Sequence, residues 1–544
     1  MQIEAIHRSS GQPIAEHYMK QFERVSGLFE YNTSDSGVWQ ARAEWLDRGD
    51  YPHAGREELA AVLLRYHEAI GGDRAAAAGI EQLRSGEALA VVGGQQAGLL
   101  TGPLLVMYKA ITIIQTARQA AEKLGRPVVP VFWIAGEDHD WDEVNHVHLL
   151  SSGAEVQRIR MVKEDERRTS VSRTPVSDSE WSAVLSEVDA SLPDSEYKAE
   201  WMDKMRTAAA QSGTLSEMFA RILSMLFGRY GLILVDADDP ALRKLEAPWF
   251  ERLAAGSQPL NEAFLQGQER VKSLGYPVQA DVAANAANLF IFEGGERTLL
   301  FRDDDGTLVN RRGTVRLTMD ELLARARREP ESLSNNVMTR PLMQEYVFPV
   351  LATVLGHGEI AYWALLKQGF EHMGMKLPPI VPRVEVTLLE GAVHKYMRKF
   401  ELSVDDVFDR FEERKNEWLK SRDTLGLEDK FAAVKAEFHT AYQPLIELIA
   451  GLNPGLRKLG DTNMTKIDEQ IDYMLAKGLD AQKSQFDTAL RQLERIRVSL
   501  APHGKPQERV YNVLMVVNRY GDGWLHELAA ARLPLDGRHL LVYL

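Results

Sequence analysis

Ala88-Leu89-Ala90-Val91-Val92-Gly93-Gly94-Gln95-Gln96-Ala97-Gly98-Leu99-Leu100-Thr101-Gly102-Pro103 is the stretch that decides the fold. It begins as an apolar run ended by glycine, which reads as a short buried strand. A glycine-rich loop, Gly93 to Pro103, follows. From about Leu104 to Lys123, Leu105, Tyr108, Thr112 and Gln115 fall on successive turns, a spacing that predicts a helix. Gly125 and Pro127 end it. Val128 to Ala135 reads as a second buried strand and runs into Gly136-Glu137-Asp138-His139-Asp140. A strand–helix–strand crossover is right-handed and leaves its strands parallel. Both loops then sit at the carboxyl edge of the sheet, where open α/β folds bind ligands. The glycine loop and the acidic loop are expected to open on one cleft, the candidate active site.

Working outward, Glu217 to Tyr230 is an amphipathic helix, Gly231 ends it, and Leu232 to Val235 is a third buried strand. It ends in Asp236, Asp238 and Asp239, and Asp236 is expected to point into the same cleft. Asp140 to Leu150 is expected to be helical, because Asp140 and Glu143 have capping-box spacing. Residues 288 to 312 read as a β-meander with tight turns, and Thr318 caps a helix to Arg328. Further on, Gly356-His357-Gly358 is expected as a turn, Glu359 to Met373 as a helix, and Val384 to Leu388 as a strand. Between 390 and 500 the chain is charged and helical. Phe400, Val404, Val407, Phe411, Trp418, Phe431, Val434 and Phe438 form one apolar stripe; Ile467, Ile471, Met474, Leu479, Phe486, Leu490, Leu493 and Leu500 form its partner. Two such helices predict an antiparallel coiled coil, whose seam a second subunit can cover, so a homodimer is expected. The tail ends in a strand, His539 to Tyr543.

The fold class is therefore α/β: a Rossmann-like parallel-sheet core with insertions and a long antiparallel helical coil. The expected division is core at 1–150, a connecting insertion at 151–215, core at 216–280, a small β-rich insertion at 281–330, core at 331–389, coil at 390–504 and a tail returning to the core at 505–544.

The chain has 544 residues and a net charge of −14, against a general nucleic-acid binder. No run approaches the roughly 18 apolar residues of a membrane span. Met1 to Ser10 carries charges and no apolar stretch of a signal peptide, so a cytoplasmic protein is expected. There are 0 cysteines. This excludes disulfides, thiolate metal sites and a cysteine nucleophile. It also suits a protein that handles a free thiol, although drift gives the same composition.

Four groups of residues carry candidate chemistry. The glycine loop can approach a ligand closely, with Gly94, Gln95, Gln96, Thr101 and Gly102 as contacts, or be a structural turn. It lacks the Gly-Lys-Ser/Thr of a phosphate loop and the spacing of a dinucleotide fingerprint. Glu137, Asp138, His139 and Asp140, with Asp142, His146 and His148 nearby, can supply a general base, hold a metal ion, or serve in part as a helix cap. No three of them have a strong ligand spacing, and no metal ligands are assigned. Asn335, Asn336, Arg340, Glu345, Glu359, Tyr362 and Trp363 lie on polar breaks between apolar segments; Arg340 suits a carboxylate, or pairs with Glu345 or Glu359. Arg383, Val384, Glu385, Lys505, Gln507, Arg509 and Tyr511 flank the two roots of the coil and can form a basic, aromatic nucleotide pocket or a salt-bridged hinge.

The chain resembles the bacillithiol biosynthesis cysteine-adding enzyme family over essentially its whole length. The resemblance lies in Gly93 to Leu104, in Pro130-Val131-Phe132-Trp133-Ile134-Ala135-Gly136-Glu137-Asp138-His139-Asp140, in Arg340-Pro341-Leu342-Met343-Gln344-Glu345, in Gly358-Glu359-Ile360-Ala361-Tyr362-Trp363, and in Lys505-Pro506-Gln507-Glu508-Arg509-Val510-Tyr511. It implies a ligase that joins cysteine to the amine of glucosaminyl-malate. It also implies a core related to nucleotidyltransferases and class I aminoacyl-tRNA synthetases, a dimerising coil, and ADP bound near that coil. ATP or ADP, with Mg²⁺, is the expected cofactor set. On this reading a nucleotide activates the cysteine carboxylate, His139 or Asp138 takes the amine proton, Gln95, Gln96 and Thr101 hold substrate, and Arg340 holds the malate. A nucleotide-responsive scaffold of the same thiol pathway is the alternative, and a metal-dependent hydrolase a third.

Overall fold

The computed structural model describes residues 2–151, 153–163, 167–422 and 425–544. Its central sheet has five parallel strands: β1 (Leu89–Gln95), β2 (Val128–Ile134), β3 (Ile233–Asp236), β4 (Val350–Leu355) and β5 (Ile380–Pro382). They lie in the order β5-β4-β1-β2-β3. Every residue of β2 and β4 is buried. Strands covered on both faces need no polar alternation, which is why Val128 to Ile134 reads as one apolar run. The crossover helix, Leu105–Leu124, is closed by Gly125 at φ 63°, as its glycine predicts. The chain moves from β1 through β2 to β3 on one side and reaches β4 on the other. The strand order thus reverses between β1 and β4, and the crevice of an open α/β sheet opens at that switch point.

β1 does not stop at Val92. It continues through Gly93 and Gly94 to Gln95, paired with Phe132, Trp133 and Ile134. A Cβ on Gly94 would lie 2.7 Å from the Trp133 carbonyl oxygen, and one on Gly93 would lie 2.8 Å from Ile113 Cδ1. The first two glycines of the loop are therefore strand residues, Gly93 required by close packing of the strand on the helix and Gly94 by close approach to the neighbouring strand.

Beside the core, Ala286–Glu293, Glu296–Arg302, Leu308–Asn310 and Arg316–Leu317 form an antiparallel meander that Leu333–Asn335 joins at the other edge. His539–Tyr543 lies between Gln2–Ile6 and Glu385–Leu389 in a second small sheet. The expected helix from Asp140 to Leu150 is absent. One turn, Trp141–Val144, gives way to a strand, His146–Leu150, that pairs with Val156–Arg160. Asp140 makes no cap bond. The alternation of half-buried His146 and His148 with buried Val147 and Leu149 has period two, and that pattern wins over the cap signal. Gly356 is the N-cap of a helix, His357–Trp363, rather than part of a turn, and the expected helix to Met373 breaks into this one and Lys367–His372.

The chain divides into two compact units, Met1–Leu389 with Pro506–Leu544, and Glu390–Lys505. In the second unit the long pair is Leu427–Leu452 and Leu456–Gln485. Lys435 meets Asp472 at 2.9 Å, His439 meets Asp468 at 2.8 Å, and Tyr442 meets Asn463 at 2.7 Å. One number rises as the other falls, so the pair is antiparallel. Val404, Val407, Phe411 and Trp418 belong instead to two shorter helices, Val404–Asp409 and Phe411–Ser421. Phe400 caps the end of Gly391–Lys399, and Leu490, Leu493 and Leu500 lie on a separate helix, Asp487–Leu500. The turn between the long helices is set by Asn453 to Gly455, where helix 427–452 ends in an extended residue. Among the described residues no helix is long and apolar enough to cross a membrane.

Candidate active site at the carboxyl edge of the sheet

A cavity of about 540 Å³ opens in the first unit where β1, β2 and β4 end and where the meander adjoins them. Gly94, Gln95, Gln96, Glu137, Asp138, His139, Asn336, Arg340, Glu359 and Tyr362 line it, so the two loops do face a common hollow. Gln96 ties them together: its Nε2 donates to Asp138 Oδ2 at 2.6 Å and to Glu143 Oε2 at 2.8 Å. The carboxylate expected to cap a helix is used in this link instead.

Five expected residues lie elsewhere. Asp140, Thr101, Gly102, Asp236 and Trp363 are not on the cavity wall. Thr101, at φ 76°, and Gly102, at φ 66°, turn the loop away from the cavity and into the tail. There Asn512 Nδ2 donates to the carbonyls of Leu100 and Gly102, at 2.8 and 2.6 Å. Asp236 is buried; it accepts from Ser172 Oγ at 2.6 Å and from the Asp238 amide at 3.0 Å. Burial pushes its carboxyl up to about 7. Trp363 is fully buried in the apolar core.

The residues that hold the wall come largely from outside the two loops. Lys109, on the crossover helix, is 1% exposed. Its ammonium donates to Gly94 O at 2.7 Å, to Gln95 Oε1 at 3.0 Å and to Glu359 Oε2 at 2.6 Å. One buried cation thereby pins the end of β1 to the helix that follows β4, across the switch point. Burial lowers its pKa, and the Glu359 carboxylate opposes that. Glu359 Oε2 also accepts from the Gly356 amide at 2.7 Å. Glu137 is buried against Arg243, which also holds Glu246 at 2.8 Å. Arg243 carries a partner for both carboxylates, so Glu137 is fixed as part of a buried ion cluster. Arg297, from the meander, places Nη1 2.9 Å from His139 Nδ1. Sequence reading missed Lys109, Arg243 and Arg297. Lys109 has a usable signal, a lone cation inside an apolar helical stripe, which is almost never buried unless paired; Arg243 stands beside Lys244 and carries no such signal. Arg297 has none; it opens a strand after a tight turn, where an exposed arginine is ordinary.

Arg340 is resolved by elimination of its alternatives. Glu345 pairs with Arg42 in the core, and Glu359 pairs with Lys109. The Arg340 guanidinium donates to Gln344 Oε1 at 3.0 Å, and among the described residues no carboxylate lies in ion-pair range of it. Asn336 is spent on structure: its amide binds Asn288, Met338 and Thr339. Its neighbour Asn335 lines the cavity, and both of its side-chain amide atoms are buried without a hydrogen-bond partner. A buried amide left unpaired is costly, and such a group on a cavity wall suits a ligand that completes it.

The residues near the coil roots are joined by ion pairs and backbone bonds. Arg383 is buried and grips Glu508 at 2.6 and 3.0 Å. Gln507 exchanges hydrogen bonds with the backbone of Leu388, and Glu385 meets His357 at 3.2 Å. Val384 donates its amide to Thr112 Oγ1 at 3.1 Å. Tyr511 is fully buried, its carbonyl bound to the Leu104 amide. Arg509 is exposed; Lys505, also exposed, belongs to the helical unit. Among the described residues no group of three or more histidine or acidic side chains is arranged to hold a metal ion.

Comparison with known proteins agrees with this architecture. Residues 1–384 match the family described as "Bacillithiol biosynthesis BshC, N-terminal Rossmann-like domain", and residues 386–544 match "Bacillithiol biosynthesis BshC, C-terminal coiled-coil domain". A protein from Geobacillus thermodenitrificans named "Putative cysteine ligase BshC" is 38% identical over 95% of both chains. Proteins of the same name from Geobacillus kaustophilus and Symbiobacterium thermophilum are 37% identical over 100% of both chains and 36% identical over 97% of both. With both of its parts matched and its length shared with these relatives, this chain belongs to the BshC family of bacillithiol biosynthesis.

Proposed function

We propose that this protein is a carbon–nitrogen ligase that joins the carboxylate of L-cysteine to the amine of glucosaminyl-malate. A carboxylate does not acylate an amine unaided, so the reading requires an activating nucleoside triphosphate. ATP converts the carboxylate to an acyl-adenylate with loss of pyrophosphate, or to an acyl-phosphate with loss of ADP. The amine nitrogen then bonds to the acyl carbon, the carbon–oxygen bond to phosphate breaks, its electron pair leaves with the phosphate oxygen, and the amine proton passes to the acidic loop.

The observation that carries this reading is the shared cavity at the switch point. On its wall are Arg340, whose guanidinium is bonded to Gln344 but has no carboxylate partner among the described residues and is suited to a carboxylate of the malate, and the Asp138–His139 loop as proton acceptor. The absence of cysteine from the chain, 0 in 544 residues, fits an enzyme whose product bears a free thiol. Mg²⁺ would arrive with the nucleotide phosphates; the described acidic and imidazole groups build no seat of their own for it, and no step is assigned to it.

The test is reconstitution. Purified protein is incubated with cysteine, glucosaminyl-malate, ATP and Mg²⁺, and the amide is sought by mass spectrometry. Product is expected, with Arg340→Met raising the KM for glucosaminyl-malate about tenfold or more, the worth of a charge-assisted hydrogen bond. Failure to form the amide under conditions in which a control ligase works would refute the reading.

A further inference from the structure

Which group of the acidic loop takes the proton is decided by an arginine that lies outside the loop. We propose that Arg297 is a positioning residue that holds His139 as the neutral imidazole with its proton on Nε2. His139 then donates a hydrogen bond to the oxygen on which charge develops, and Asp138 takes the proton from the attacking amine. The inference rests on the ligase reading for its chemistry, but not for the state of the imidazole.

A guanidinium has five N–H donors and no acceptor. With Arg297 Nη1 2.9 Å from His139 Nδ1, the only attractive arrangement has a lone pair on Nδ1, so the ring proton is on Nε2. Arg297 is not free to swing away. Its Nε donates to Ser334 Oγ at 2.8 Å, its Nη2 donates to the Asn335 carbonyl at 2.7 Å, and its plane lies 3.8 Å over the Phe290 ring. The same ring packs against His139 at 5.6 Å between centroids. The charged groups that act on the imidazole are Arg297, Asp138, Arg168 and Asp140. Burial first, and the Arg297 cation second, keep it below its ordinary 6.5, so it stays neutral at physiological pH. No other residue among those described bonds Nε2, and His139 lines the cavity.

A neutral imidazole with Nδ1 committed and Nε2 protonated cannot accept a proton from substrate. It can stabilise negative charge, here the carbonyl oxygen of the cysteine acyl group as the amine adds. Asp138 is placed for the other role. Its Oδ1 accepts from the amides of His139 and Asp140, at 2.7 and 3.3 Å, and its Oδ2 from Gln96 at 2.6 Å. A carboxylate has about four lone-pair sites, so one on Oδ2 remains for the amine proton.

The experiment is ¹⁵N spectroscopy of the full-length protein carrying ring-labelled histidine, with His139 assigned by difference from His139→Gln. In the wild type the Nε2–H neutral pattern is expected at pH 8 and at pH 7, and its titration is expected below that of an ordinary histidine. Arg297→Met is expected to bring mixed tautomers and a titration moved upward from the wild type's, towards the ordinary value, with the part due to burial remaining. In the ligation assay His139→Gln, which keeps an N–H near the Nε2 position, is expected to stay within about tenfold of wild type. His139→Ala should fall about 10²- to 10³-fold and Asp138→Asn about 10²- to 10⁴-fold. A wild-type His139 protonated on Nδ1, or His139→Gln as inactive as His139→Ala, overturns the proposal. The spectrum is read without substrate, so it stands even if the amide is never formed, and the wild-type and His139 measurements do not depend on Arg297→Met folding.

Discussion

Replacing Lys109 with methionine should destabilise the core by about 4 kcal/mol, and most of that loss should disappear when Glu359 is neutralised as well. Methionine keeps the length and apolar stem of the side chain and removes only the ammonium. Three acceptors then lose their donor: Gly94 O, Gln95 Oε1 and Glu359 Oε2. Removing one partner of a fully buried pair costs about 3–5 kcal/mol. Glu359 is 28% exposed and keeps the Gly356 amide, so water and that bond bring its share down to about 2 kcal/mol. The two orphaned oxygens add about 1 kcal/mol each. In Lys109→Met/Glu359→Gln the carboxylate charge is gone, and about 2 kcal/mol of the loss should return, a coupling that additive behaviour would not give. The assay is urea unfolding followed by tryptophan fluorescence. The chain has 10 tryptophans, and Trp418 alone lies in the helical unit, so the signal reports the core. A single mutant within about 1 kcal/mol of wild type, or a double mutant no more stable than the single, would refute the claim that this ammonium ties the switch point together.

Further expectations follow from other groups. Asn335→Ala should leave thermal stability unchanged or raise it, because a buried unpaired amide is removed, while substrate affinity falls about tenfold by calorimetry; unchanged affinity with lowered stability would contradict its assignment to a ligand. His67 is buried, accepts the Leu234 amide at 2.9 Å, and is depressed by burial from 6.5 to about 4. The unfolded chain therefore binds a proton that the folded one does not, so up to about 3 kcal/mol of stability present above pH 6.5 is lost as pH falls towards 4; His67→Gln should flatten that limb in urea titrations at graded pH. In the helical unit Leu448 is 69% and Leu452 83% exposed. If a second copy covers them, Leu448→Glu/Leu452→Glu should halve the mass seen by sedimentation, and a wild type that already sediments as a monomer counts against the dimer.

What the sequence determined by itself was the part of the fold written in local periodicity. The apolar runs at 88–92 and 128–135, the glycine that closes the helix between them, the meander and the terminal strand are all legible because burial on both faces, or on one, imposes a pattern on neighbouring residues; the continuation of the first strand through Gly93 to Gln95 is not. The carboxyl-edge cleft followed from chain topology alone, since right-handed crossovers leave the two loops no other edge. Tertiary structure decided the rest. Whether Thr101 or Asp236 faces the cavity, whether Asn335 or Asn336 is spent on its neighbours, and whether Arg340 is paired depend on side chains far along the chain: Asn288, 48 residues from Asn336, Ser172, 64 from Asp236, Lys109, 250 from Glu359, and Asn512, 410 from Gly102. The state of His139 is the clearest case: its ring is set by Arg297, 158 residues along the chain. Hydrogen bonds and ion pairs of that separation leave no periodic trace, because each needs only one donor and one acceptor to meet, and that meeting is fixed by how the sheet, the meander and the tail pack together.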